Sequence, residues 1–135
     1  MPRPLHTNAQ FHGRTYQQFV DFLHEPGESE PMLSPGKYAV ALRIALRDLA
    51  DQARVHRNTV SRSPNSKRVQ EYLRQALRVI KAGTDLRGDV NVALLWYRGE
   101  PLAVFDYKTA EALVAERRTD DVLRYVTSIE AGAAG

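Results

Sequence analysis

The stretch LADQARVHRNTVSR, residues 49–62, is the most informative segment of this 135-residue chain. Its first half has the spacing of a short amphipathic helix, and its second half predicts another helix that opens at Asn58. Residues 55–57 form the turn between them. The inward positions carry mostly small or β-branched side chains, which let two helices cross closely: Leu49, Ala50, Ala53, Val55 and Val60. The stretch therefore predicts two short helices packed across a tight turn.

Two helices joined in this way are typical of a helix-turn-helix, whose second helix lies in the major groove of DNA. The outward positions of the second half are all polar: His56, Arg57, Asn58, Thr59, Ser61 and Arg62. Arginine suits a bidentate contact to guanine, asparagine suits adenine, and hydroxyl groups suit phosphates. The pattern favours operator DNA as a partner, and the alternative is a packed helix pair that never touches DNA.

The order Leu-Ala-x-x-x-x-Val-x-x-x-Thr-Val-Ser-Arg resembles the helix-turn-helix of Xre-type, phage repressor-like regulators. That family usually has a glycine just before the valine, where the turn prefers a left-handed backbone. Arg54 stands there, which predicts either strain or a different turn. Upstream, residues 38–49 show no break and no Ser, Thr or Asn cap, so one helix running straight into the motif is an open alternative.

Charge is distributed unevenly along the chain, although the net charge is only +3. Residues 1–36 hold two Lys/Arg against four acids, and residues 84–135 hold six against nine. Residues 37–83 hold eleven against three, so this segment alone carries the positive excess. A basic block that coincides with a groove-reading motif favours a polyanionic partner, and the alternative is a solvated helical surface.

Composition narrows the class of protein. The chain has no cysteine, no run of about 20 apolar residues, and no apolar core of a signal peptide near its N-terminus. We therefore expect a cytoplasmic protein without membrane contact. The four histidines lie at positions 6, 12, 24 and 56 without metal-ligand spacing, and no nucleophile or phosphate-loop motif occurs. We expect no enzymatic activity, no metal and no cofactor.

Helical periodicity predicts an all-α fold: a helix-turn-helix bundle followed by a small helical domain. Residues 1–35 read as a flexible extension in which Thr15 caps a short helix, and residues 25–36 read as a linker. Residues 36–83 form the DNA-binding region. In it, the second helix of the motif ends near Arg62, and Ser63-Pro64 begins a long helix that stops at Gly83. Residues 84–135 form the third region.

This third region begins with a helix that is apolar on nearly every side, residues 85–98, as expected of a buried or interface helix. A loop at residues 102–108 follows, then a helix capped by Thr109 and a last helix from Thr119. A protein that binds palindromic DNA needs two recognition helices about 34 Å apart, so we expect a homodimer. The helix at residues 90–97 and the N-terminal helix are the candidate dimer surfaces.

From Ala93 onward the sequence ALLWYRGEPLAVFDYKTAEALVAERRTDDVLRYVTSIEAG resembles the toxin-binding domain of Xre/MbcA/ParS-type antitoxins. The matching features are a helix ending in Trp96, the turn at residues 100–102, the pair Lys108-Thr109, the Ala-Leu-Val helix, and a final helix that ends at Gly132. The family often has Gly-Gly where Asp106-Tyr107 stand, and proline where Ala110 stands.

This resemblance implies a type II antitoxin that blocks a partner toxin, often of the RES-domain class that acts on NAD. Such a protein represses its own operon through the helix-turn-helix and forms hetero-oligomers with its toxin. The positions expected to contact the toxin are Trp96, Pro101, Phe105, Tyr107, Lys108, Thr109, Glu130 and Gly132. Three alternatives stay open. Trp96 could instead anchor the core between helices, Phe105 and Tyr107 could pack in the core or the loop, and Thr109 could serve as a helix cap. The competing function is a stand-alone repressor whose C-terminal region dimerises.

Overall fold

Eight α-helices and one short 3-10 helix make up the part of the chain described by the computed structural model, residues 15–24 and 32–134. The helices are α1 Tyr16–Leu23, α2 Pro35–Leu42, α3 Leu46–Ala53, α4 Arg57–Arg62, α5 Lys67–Arg87, α6 Val90–Gly99, α7 Ala110–Ala115 and α8 Thr119–Ala134, with the 3-10 helix at Ala103–Phe105. The predicted all-α class is confirmed, because the only β-type pairings in these residues are two isolated bridges. None of the described helices combines the length and apolarity needed to cross a membrane.

Helix α5, 21 residues long, is the centre of the fold and packs against α6 and α8 most extensively. Its apolar stripe is buried as the periodicity predicted: Val69, Tyr72, Leu73, Ala76, Leu77 and Ile80. The predicted start at Ser63-Pro64 is wrong. Ser63 still donates its N–H to the Thr59 carbonyl, 2.8 Å away, and the hydroxyl of Ser66 accepts the Val69 N–H instead. The helix therefore begins one turn later, at Lys67.

The predicted stop of this helix at Gly83 is also wrong. Gly83 is buried inside α5, and a Cβ placed on it would lie 2.9 Å from two ring carbons of Trp96. The glycine is thus a contact surface for an aromatic ring, and the helix ends four residues later before Gly88, which has a left-handed φ of 83°. The boundary expected between residues 83 and 84 falls inside α5, while the division into functional regions stays a prediction.

The helix expected after Thr15 is confirmed as α1, where the hydroxyl of Thr15 accepts the N–H of Gln18 in a capping box. Phe19 and Leu23 are buried in the common core, and the Tyr16 hydroxyl donates to the Leu77 carbonyl, 3.2 Å away. Helix α1 therefore packs on the body of the same chain. Residues 1–14 of the expected flexible extension and residues 25–31 of the expected linker lie outside the described residues.

The end of the predicted linker is instead part of the core. Leu33, Ser34 and Pro35 are buried, and α2 already begins at Pro35. The buried side chain of Gln70 explains this, since its Oε1 accepts the Leu33 N–H at 3.0 Å and its Nε2 donates to the Leu33 carbonyl at 2.8 Å. These two bonds fasten an extended segment to α5.

A break separates α2 from α3, so the alternative of one uninterrupted helix is wrong. Arg43 follows Leu42 in a left-handed conformation, with φ 60° and ψ 46°, and Ala45 precedes α3 without a side-chain cap. The side chain of Arg98, at the end of α6, donates to the Leu42 carbonyl at 2.8 Å. A long-range hydrogen bond thus stabilises a break that no local glycine or proline marks.

A buried polar cluster joins the N-terminal half to the C-terminal half. Glu111 is 8% exposed, and its carboxylate accepts hydrogen bonds from Arg98 Nε and Gln52 Nε2, both 3.2 Å away. The Tyr72 hydroxyl donates to Gln52 Oε1 at 2.8 Å. Burial raises the pKa of the neighbouring Tyr97 well above its ordinary value, as it does for Tyr38 and Tyr72. Elements on both sides of residue 83 therefore share one packed interior.

Candidate functional site

Helices α3 and α4 pack across a three-residue turn. The residues predicted to point inward are buried at 0–3% exposure, namely Leu49, Ala50, Ala53 and Val60, and Val55 is partly buried against the same core. Helix α4 begins at Arg57, one residue before the predicted opening at Asn58. The cause is His56, whose Nδ1 accepts the Asn58 N–H at 3.0 Å and so caps the helix. The turn is therefore residues 54–56.

Arg54 occupies the left-handed conformation that the turn requires, with φ 60° and ψ 46°. The N–H of Val55 donates to the Ala50 carbonyl at 3.0 Å, which closes the end of α3. The guanidinium of Arg68, from the first turn of α5, donates to the Arg54 carbonyl at 3.2 Å. Of the two expectations for this position, strain is therefore the one realised, because the glycine-type turn is retained with an arginine in it.

The outward residues of α4 form one polar face. Arg57, Asn58, Ser61 and Arg62 are exposed and stand at i, i+1, i+4 and i+5, while Thr59 is half-buried. Helix α4 ends at Arg62, as the following Ser63-Pro64 predicted. Neither Arg57 nor Arg62 forms an ion pair with a carboxylate of residues 15–24 or 32–134. Contact of this face with DNA stays a prediction.

Two of the residues expected to contact a toxin serve the fold. Trp96 is only 5% exposed, and its ring lies on Gly83 of α5, so the core-anchor alternative describes it. The hydroxyl of Thr109 accepts the Ala112 N–H at 3.1 Å and caps α7. Most of the Trp96 ring is thus covered within the chain, and Thr109 is half-buried at the start of α7. Toxin contact by either residue stays a prediction.

The loop at residues 102–108 brings most of the other candidates together. Leu102 anchors it at 1% exposure, and its N–H donates to the Lys108 carbonyl at 2.9 Å. Tyr107 is 71% exposed and Val104, which the sequence did not single out, is 69% exposed. Pro101, just before the loop, is also exposed. Two large apolar side chains are thus presented to solvent on a loop with a fixed backbone.

Other residues of this loop have partners within the chain. Phe105 packs edge-on against Tyr125 of α8 with ring centroids 5.7 Å apart, so the packing alternative describes Phe105 but not Tyr107. Lys108 pairs with Glu116 at 2.9 Å. Glu130 and Gly132 are exposed near the end of α8, away in sequence from the loop but on the helix that Phe105 contacts.

Helix α6 leaves an apolar strip uncovered. Leu95 is 68% exposed and Val92 is 40% exposed, whereas the other face of the helix is buried in the core. The helix predicted at residues 85–98 spans Val90–Gly99 instead, because the residues up to Arg87 belong to α5. Its inner face is buried as expected, and burial of the outer strip in an interface stays a prediction. Such a strip on the outer face keeps α6 as the candidate dimer surface, whereas α1 buries its apolar side chains within its own chain.

Five non-glycine residues have a left-handed backbone in the described part of the chain: Arg43, Arg54, Asp106, Tyr107 and Arg117. Arg54 stands where the resembled helix-turn-helix regulators usually have glycine, and Asp106 and Tyr107 stand where the resembled antitoxin domain often has Gly-Gly. Glycine is the residue that reaches this conformation without steric cost. The backbone at both motifs is therefore of the glycine type although the residues are not glycine.

No protein-family model, curated protein or solved structure gives a significant match to this chain. Functional roles for its residues consequently rest on the geometry described above and on the two motifs.

Proposed function

We propose that the protein is a type II antitoxin that binds operator DNA through α3 and α4 and blocks a partner toxin with its C-terminal part. The observation that carries this proposal is the left-handed backbone at Arg54, Asp106 and Tyr107. A non-glycine residue in that conformation costs roughly 1–2 kcal/mol, so it persists only where the surrounding fold demands it. Both loops keep the backbone that glycine serves in the resembled family, which supports the two resemblances together.

DNA binding is supported by the polar face of α4 and its charge. As a helix-turn-helix, α3 would cross the DNA backbone while α4 entered the major groove. Arg57 and Arg62 are exposed at opposite ends of α4, and the segment that contains them carries the positive excess of the chain. Guanidinium groups at these positions suit bidentate contacts to guanine, and Asn58 suits adenine.

The proposed DNA binding is tested by fluorescence anisotropy with a duplex that covers the region upstream of the protein's own gene. Replacing Arg57 or Arg62 with alanine should weaken binding by about 1–3 kcal/mol where the contact is bidentate. Arg124→Ala is the matched control, because Arg124 is an exposed arginine on α8 that pairs with Asp121. Equal losses for all three variants, or no binding by the unaltered protein, would contradict a reading role for α4.

Toxin binding is supported by the exposed loop. Val104 and Tyr107 leave about 70% of their surface in solvent on the same loop, and aromatic side chains are enriched in protein interfaces. The flanking Pro101 and Lys108 complete a surface that combines apolar and charged groups. The resemblance implies a toxin of the RES-domain class as the occupant, and hetero-oligomers as its product.

Co-expression with the product of the adjacent gene tests the proposed toxin binding. Val104→Asp with Tyr107→Ser should abolish both co-purification and the rescue of growth, because it places polar groups in the apolar contact. Leu95→Ser is the matched control, since Leu95 is equally exposed but lies on α6. An adjacent gene product that is harmless and does not co-purify would refute the antitoxin assignment.

A stand-alone repressor that dimerises through its C-terminal region is the second candidate, and the uncovered strip of α6 favours it. Leu95 and Val92 would be covered in a dimer built on this helix. In that case Leu95→Glu should convert a dimer to a monomer in light scattering and weaken binding to palindromic DNA. If the same variant still rescues cells from the product of the adjacent gene, the protein is an antitoxin, because a stand-alone repressor has no partner toxin.

A further inference from the structure

A basic cavity of about 580 Å³ opens between the α3–α4 turn, α5 and the junction of α7 with α8. Its lining consists of four arginines and four other residues: Arg54, Arg68, Arg74, Arg117, Glu71, Tyr72, Gln75 and Val114. The volume is within the range of small-molecule sites, about 300–1,000 Å³. With one acid against four arginines, the lining carries a formal charge of +3.

Two of these guanidinium groups are held in place by neutral partners. Arg117 Nη1 donates to the carbonyls of Gln52 at 2.9 Å and Ala115 at 3.0 Å, and its guanidinium lies 5.5 Å from the centre of the Tyr72 ring. Arg68 donates to the Arg54 carbonyl. None of the four arginines pairs with a carboxylate among the residues that the structure describes. Their charge is therefore positioned without being neutralised.

The like charges act on one another. Desolvation lowers the pKa of Arg117, and the nearby charges of Arg54 and Arg68 lower it further. Glu71, the acid of the lining, lies 4.0 Å from the ammonium group of Lys67. Arg54 and Arg117 also both have left-handed backbones, with φ of 60° and 67°. Strain and repulsion thus coincide at one cavity, as is common where a ligand is bound.

We propose that this cavity binds a free phosphorylated small molecule of about mononucleotide size. Planar guanidinium groups match the oxygens of phosphate in bidentate fashion, and several of them from different elements can surround one phosphate. Because Arg54 belongs to the α3–α4 turn and Arg117 to the α7–α8 junction, such a ligand joins the two functional regions. The inference goes beyond the proposed antitoxin function and does not depend on DNA or toxin binding.

Isothermal titration of the full chain with inorganic phosphate, AMP and ADP tests the proposal. We expect saturable one-site binding that strengthens from inorganic phosphate to ADP. Arg74→Gln should weaken ADP binding about tenfold, or about 1.4 kcal/mol, because one charge-assisted hydrogen bond to phosphate is lost. Arg78→Gln is the matched control, because Arg78 is half-exposed one turn along the same helix and faces Asp120 at 3.7 Å. It should change binding less than about twofold.

Glu71→Gln gives a test of opposite sign, since removing the acid from the lining should tighten ADP binding. Thermal unfolding of each variant verifies the fold. Equal weakening by Arg74→Gln and Arg78→Gln, or no effect of Glu71→Gln, would reveal nonspecific attraction and overturn the proposal. So would binding of duplex DNA that is weakened by Arg74→Gln while AMP and ADP do not bind, because the cavity would then hold a backbone phosphate.

Discussion

Replacing Gly83 with alanine tests how Trp96 is held in the core. Gly83 lies within α5 on the side that faces α6, and the structure leaves no room for a methyl group there. An added Cβ would come within 2.9 Å of ring carbons Cε3 and Cζ3 of Trp96 and within 3.5 Å of the Ala93 Cβ. Carbon atoms in contact normally stay about 3.5–4.0 Å apart, so the ring or the helix must move by more than half an ångström.

The magnitude follows from two opposing effects. Alanine is better than glycine in the interior of a helix by about 1 kcal/mol. An extra methyl group in a well-packed core costs about 1–3 kcal/mol, and the upper part of that range applies here because a rigid, buried aromatic ring receives it. We therefore expect Gly83→Ala to lower the free energy of unfolding by about 1–2 kcal/mol.

Urea unfolding followed by fluorescence is the assay, because Trp96 is the single tryptophan of the chain. Gly99→Ala is the matched control, since Gly99 is also helical and a Cβ there would have no neighbour within 4 Å. It should raise stability by up to about 1 kcal/mol. In a double-mutant cycle followed by circular dichroism, Trp96→Leu should remove most of the penalty of Gly83→Ala. A Gly83→Ala protein as stable as the unaltered chain, with unchanged emission, would refute the packing of Trp96 on Gly83.

Three further predictions concern backbone strain and buried tyrosines. Arg54→Gly and Tyr107→Gly should each raise the unfolding free energy by about 0.5–1 kcal/mol in urea titrations, as left-handed strain outweighs the greater freedom of unfolded glycine. Asp106→Gly should raise it less, because aspartate tolerates this conformation better; an equal or larger gain there would contradict the strain argument. Burial raises the pKa of Tyr38, Tyr72 and Tyr97 in the folded state. Above about pH 10 these tyrosines ionise in the unfolded state only, so the free energy of unfolding should fall as the pH rises. The expected loss is about 1.4 kcal/mol per tyrosine at pH 11. Tyr16, whose pKa burial raises to about 12, adds a similar loss at pH 11. Tyr38→Phe should therefore reduce the total by about a quarter, and an unchanged pH profile of this variant would count against the burial of the hydroxyl.

The sequence predicted the helices whose apolar spacing is strong and misplaced the ends that depend on distant contacts. The buried apolar face of α5 and the cap at Thr15 are local features, and the structure confirms both predictions. Gly83 has the local signature of a helix stop, yet Trp96, which comes from the next helix, needs a glycine at that point. The break at Arg43 depends on a hydrogen bond from Arg98, 56 residues from Leu42 in sequence. Both contacts come from residues on another helix, so the apolar spacing within one helix cannot predict them.

The α3–α4 turn shows the same limit for the candidate site. Whether Arg54 keeps a left-handed turn depends on the tertiary contacts around it, of which the bond from Arg68 to its carbonyl is one. Glycine at position 54 would relieve the strain, but it would also remove one of the four guanidinium groups of the basic cavity. If the cavity binds phosphate, Arg54→Gly should make the protein more stable and the binding of ADP weaker. An Arg54→Gly protein that gains stability and binds ADP as before would show that the arginine serves neither the turn nor the cavity.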